Sequence, residues 1–100
     1  MTADPLDVVR VEELTPHTVE AVIDRLQASQ DFDHLVYRES EVDALWSLAD
    51  MAVRRREPNA GTLLDLLWSA HERIGEGQTG RAIEELQHVV HELRQAAPAR

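Results

Sequence analysis

Histidines and carboxylates are the side chains of this chain with acid–base or metal-binding capacity. His88 and His91 stand three residues apart, with Glu84, Glu85 and Glu92 around them. Glu85-Leu86-Gln87-His88 reproduces the Glu-x-x-His spacing of di-iron bundles, whose sites need two such motifs and two further glutamates, all pointing inward. The helical geometry opposes that use here. At 100° per residue, His88 falls about 170° and His91 about 130° from the centre of the apolar face formed by Ala82, Ile83, Leu86, Val89, Val90 and Leu93. Both should face water, so no metal or cofactor is expected.

His71 is placed differently. It lies about 50° from the centre of an apolar face made by Leu63, Leu64, Leu67, Ala70 and Ile74. The reading is a part-buried histidine satisfied by one hydrogen bond, with a pH-sensing or catalytic role through nearby acids as the alternative. His17 falls in a first helical turn, and His34 in a stretch of ambiguous structure; neither belongs to a ligand set. Ser29, Ser40, Ser47 and Ser69 lack the strand–turn–helix setting of an exposed nucleophile. Gly75-x-Gly77-x-x-Gly80 has dinucleotide-loop spacing but follows a helix and carries Glu76, so it reads as a turn.

Arg54-Arg55-Arg56 is the one basic cluster. It closes a predicted helix, where cations complement the dipole. A contact with a small anion or an acidic partner is the functional alternative, and nucleic-acid binding a further one. The charge distribution opposes nucleic acid. The net charge is −9, and residues 1–50 carry twelve acids against three arginines. Phosphate recognition needs a basic surface. All ten basic residues are arginine, which reads as compositional bias rather than selection for forked contacts.

These residues must be positioned by helices. Thr15 as N-cap and Pro16 at the first helical position start helix 1, over 15–29. Val19, Val22, Ile23 and Leu26 form its apolar face. Residues 32–37 fit either a short strand or a linker, and the linker is favoured. Ser40 would cap helix 2, over 40–56. Its main stripe is Ala44, Leu45, Leu48, Met51 and Ala52, with Val42, Trp46, Ala49 and Val53 as a second. Pro58-Asn59-Ala60-Gly61 stops it. Residues 62–96 read as an antiparallel helical hairpin, capped at Thr62 and turned at Gly75–Gly80. Leu66 and Trp68 flank the main face of its first helix, which should pack on two or three neighbours.

The whole is an all-α, four-helix bundle-like domain with an N-terminal extended arm, 1–14, in which Val8–Val11 is a possible short strand. A hydrophobic share of 43% supports a core, and only 4% is aromatic, so that core is aliphatic. One hundred residues make one domain. The absence of cysteine excludes disulfides and thiolate chemistry. No apolar window is long enough for a membrane span. The acidic opening residues argue against a signal peptide, so a cytoplasmic protein is expected.

The stretch 70–98 resembles a tetratricopeptide unit. Gly77, Ala82, Leu86 and Pro98 sit near that family's small and apolar positions, while Arg73 stands where a tyrosine is common. It covers about a third of the chain, and no second copy precedes it. The resemblance implies hairpin packing and a protein-binding role.

Function follows as an expectation of protein–protein contact by an adaptor, regulator or accessory subunit. Trp46, with Val42 and Val53, is the candidate interface, for a homodimer or for a partner with a basic surface. Cover by the N-terminal arm is the structural alternative for Trp46. A small enzyme or ligand-binding protein using His71 is the alternative function.

Overall fold

A computed structural model describes residues 13–28 and 32–96, and the side chains of all but 32–37 and 96 among them. The fold is an all-α four-helix bundle. Its helices are α1 (Pro16–Ala28), α2 (Phe32–Arg54), α3 (Ala60–Gly75) and α4 (Thr79–Ala96). They pack in a ring: α2 against α3, α3 against α4, α4 against α1, and α1 more lightly against α2. The possible strand at Val8–Val11 lies outside the described residues.

Local chemistry fixes the helix ends. The Thr18 amide donates to Thr15 Oγ1 at 3.2 Å, and the Thr15 amide donates to Thr18 Oγ1 at 3.0 Å. This is a reciprocal capping box with threonine in the place usually held by glutamate. Pro16 occupies the first turn of α1, where its missing N–H removes no intrahelical bond.

Helix α3 ends in a Schellman turn. The Gln78 amide donates to the Arg73 carbonyl at 2.8 Å and the Gly77 amide to the Ile74 carbonyl at 3.0 Å. Gly77 sits at φ +79, a conformation open to glycine at little cost. The chain then turns straight into α4. Helix α2 ends the same way, with Glu57 N–H on the Ala52 carbonyl at 3.1 Å and Arg56 N–H on the Val53 carbonyl at 2.9 Å. There the left-handed residue is Arg56, at φ +59.

Three expectations are corrected. Residues 32–37 form neither linker nor strand; 32–39 are the first two turns of α2, so Ser40 is not a cap. Helix α3 begins at Ala60, and Asn59 precedes it in the left-handed region; Thr62 lies inside the helix. The buried stripe of α2 is Val42, Leu45, Ala49 and Ala52, whereas Met51 is exposed.

The core joins Val19, Val22, Ile23 and Leu26 of α1 to Leu63, Leu67, Ala70 and Ile74 of α3 and to Ala82, Leu86, Val89 and Val90 of α4. Two charged side chains share it. Arg38 and Glu41 are buried within α2 and bonded to each other. Arg25 of α1 reaches the same carboxylate at 3.1 Å.

Candidate functional site

The aromatic side chains of α2 and α3 meet on the outer face between the two helices. The α2–α3 connection is short, so the helices run antiparallel and residues pair about the bend. Trp46 and Trp68 are each eleven residues from Glu57. Their ring centroids are 5.8 Å apart, with the planes tilted by 55°. His71, one turn on from Trp68, stacks on that indole at 5.5 Å and 15°. His71 Nε2 is 3.3 Å from Glu39 Oε1. Glu39 thus orients His71, His71 holds Trp68, and Trp68 bears on Trp46.

The pairing has a regular register. Glu39, Trp46 and Val53 are spaced by seven on α2, and Gly61, Trp68 and Gly75 by seven on α3. Seven residues are nearly two turns, so each set lies along one face. At one end Glu39 Oε2 lies 3.6 Å from where a side chain on Gly75 would begin. Around Gly61 a side chain would meet nothing within 4 Å. The tryptophans therefore stand between two positions without side chains.

Trp46 is part-buried and packs against the core, while Trp68 is 48% exposed. Exposed Asp43 and part-exposed Asp50 lie one turn either side of Trp46, and exposed Asp65 and Glu72 one turn either side of Trp68. The aromatic face is thus bordered by carboxylates.

The predicted interface residues divide. Trp46 lies at the seam and Val53 is exposed along it. Val42 does not contribute: it is fully buried, because it sits about 40° from Trp46 toward the core. Arg54, Arg55 and Arg56 are all exposed at the end of α2. Arg54 pairs with Asp50 at 3.1 Å and Arg55 lies 3.5 Å from Glu57, so they form local pairs as well as complementing the helix end.

The histidines divide too. His17, His88 and His91 are exposed, and Glu85 turns instead toward Arg73, 3.8 Å away. The side chain of His34 lies outside the described residues. Among the described residues no three His, Asp or Glu side chains converge as a metal site. His71 is part-buried, but neither described surface groove includes it. One is lined by His17, Glu20, Asp24 and Gln87 between α1 and α4. The other is lined by Leu14, Leu48, Leu63 and Leu93 at the far end of the bundle. No described helix is long and apolar enough to cross a membrane.

Sequence reasoning missed Trp68 and Glu39 as members of this face. The signal was present in the equal distances of the two tryptophans from Glu57. It also missed the Arg25–Glu41–Arg38 cluster, because Arg38 lay ahead of the predicted start of helix 2 at residue 40.

Comparison with protein-family models, with curated proteins and with solved structures finds no match to this chain. The resemblance of 70–98 to a tetratricopeptide unit therefore gains no family-level support.

Proposed function

We propose that this protein acts by protein–protein contact through the outer seam of α2 and α3, as an adaptor, regulator or accessory subunit. The observation that carries this reading is the half-exposed Trp68 held between His71 and Trp46. A large aromatic that is already ordered loses little rotamer freedom on binding, and tryptophan is enriched at the energetic centres of interfaces.

A basic partner is favoured over a second copy. In a two-fold contact centred on the tryptophans, the bordering carboxylates Asp43, Asp50, Asp65 and Glu72 of one copy would face those of the other, and like charges across an interface are unfavourable. The acidic border and the net charge of −9 would instead steer a cationic surface toward the seam. In this reading Arg54–Arg56 sit at its margin.

Photocrosslinking tests the reading. A benzophenone amino acid replaces Trp68 in one variant and His88, on the opposite face, in another. A discrete crosslinked partner from position 68 alone is the expected result. Equal or absent crosslinking at the two positions removes the seam from consideration. Light scattering of the purified chain should give the monomer mass.

A further inference from the structure

We propose that the seam takes a cationic amphipathic helix of the partner in one orientation, with an arginine seated at the Glu39–Gly75 end. The proposal rests on the binding-face reading above and adds the chemistry of the occupant.

The dimensions suit a helix. From Gly61 to Gly75 is fourteen residues of α3, a span of about 21 Å or four turns. A helix laid along the seam meets the tryptophans at its middle and has room for a side chain at each end, where α3 has none. A small residue over the tryptophans and larger ones seven positions to either side would match the spacing.

The two ends differ in chemistry. At Gly61 the space is open and bordered by exposed Val53, with Arg54 and Arg55 beyond it. That end suits an apolar side chain, because Arg54 and Arg55 are balanced locally by Asp50 and Glu57. At Gly75 the space is bordered by Glu39, with His71 beside it and exposed Glu72 close by. That end suits a cation. The direction of the incoming helix follows from the excess of carboxylates, Glu39, Asp43 and Glu72, at the Gly75 end.

Arginine fits better than lysine. A guanidinium can lie flat against imidazole or indole while its N–H groups pair with a carboxylate, whereas an ammonium is a compact, strongly hydrated point charge. The Glu39 carboxylate lies beside the stacked His71 and Trp68 rings, so both contacts are available at one place.

The test uses the whole chain and a synthetic fifteen-residue helix with leucine at its first position, alanine at its eighth and arginine at its last. Binding is read from the indole N–H signals of Trp46 and Trp68 in nitrogen-15 NMR. The expected result is a saturable shift of the Trp68 signal. Replacing the peptide arginine by lysine, or Glu39→Gln in the protein, should weaken binding about tenfold or more, the scale of a lost charge-assisted contact. Gly75→Leu should block the seat; Gly75 is exposed and its first added atom makes only an ordinary contact with Glu39, and a thermal melt checks that the fold is kept. Equal binding of the arginine, lysine and end-reversed peptides overturns the proposal. So does the absence of any shift. If crosslinking at position 68 still succeeds, the occupant alone is wrong; if it fails too, the binding face falls with it.

Discussion

Arg38 and Glu41 form an ion pair that has no solvent exposure on either side chain. They lie three residues apart on α2, so one helical turn brings them together. Arg25 closes on the same carboxylate from α1 with its Nε at 3.1 Å. One buried carboxylate therefore serves two guanidiniums and ties α1 to α2, the helix pair that packs most lightly in the ring. Burial holds the Arg38 guanidinium below the ordinary arginine value, against the raising effect of Glu41 and with a smaller lowering effect from Arg25.

Removing the shared anion should be costly. Glu41→Gln leaves two guanidiniums facing a neutral amide in the interior, and breaking a buried pair in this way costs about 3–5 kcal/mol. Replacing the pair together, by Arg38→Met with Glu41→Leu, should recover part of that loss, because the buried Arg38 charge is removed with the carboxylate and only Arg25, which retains some exposure, loses its partner. Urea unfolding of the two variants checks this. A double variant less stable than Glu41→Gln would show that the ion pair, not its burial cost, dominates.

That pair also explains what the sequence concealed. Arg38 occupies a core position in register with Val42, Leu45, Ala49 and Ala52, yet a polar residue on an apolar stripe looks like the end of the helix. Residues 32–37 are a short apolar run that fits strand or linker alike; read as a linker, they left Ser40 as the apparent cap. Helices α1 and α4 were legible because their apolar faces are one-sided, and Thr15-Pro16 and the turn at Gly77 mark the start of α1 and the bend of the α3–α4 hairpin. The seam was half legible. Trp46 stood out as an uncovered aromatic, but its partner became apparent only from the antiparallel register about Glu57. Val42 was grouped with it because about 40° of rotation separates an exposed position from a buried one.

Arg56→Gly should stabilise the fold. Arg56 is exposed, and its left-handed backbone costs a side-chain-bearing residue about 1–2 kcal/mol. Glycine removes that strain but gains freedom in the unfolded chain, so a net gain of about 0.5–1 kcal/mol is expected. A domain of this size would then melt a few degrees higher. A lowered midpoint would mean that the arginine side chain stabilises the turn by contacts that outweigh the strain.

Two other glycines should respond in opposite directions to alanine. At Gly61, inside α3, the added methyl meets nothing within 4 Å, and glycine-to-alanine in a helix gains about 0.5–1 kcal/mol. At Gly77 space is equally free, but φ is +79, so alanine should cost about 1 kcal/mol. Thermal melts of the two variants compare them directly. A common sign would show that space, not backbone conformation, governs these positions.

The seam separates stability from recognition. Trp46 packs on the core and Trp68 is half exposed, so truncating them should have unequal effects on folding. Trp46→Ala should cost about 3 kcal/mol, toward the lower end for a large aromatic because it is only part-buried. Trp68→Ala should cost about 1 kcal/mol or less, mainly the loss of its contact with Trp46. A double-mutant cycle should return a coupling of about 0.5–1.5 kcal/mol, the range for tilted aromatic pairs. Trp68→Ala should then fold normally and lose the partner, which no purely structural tryptophan would do. If Trp68→Ala unfolds the chain as readily as Trp46→Ala, the exposed indole is held for the bundle itself and the binding-face reading loses its main support.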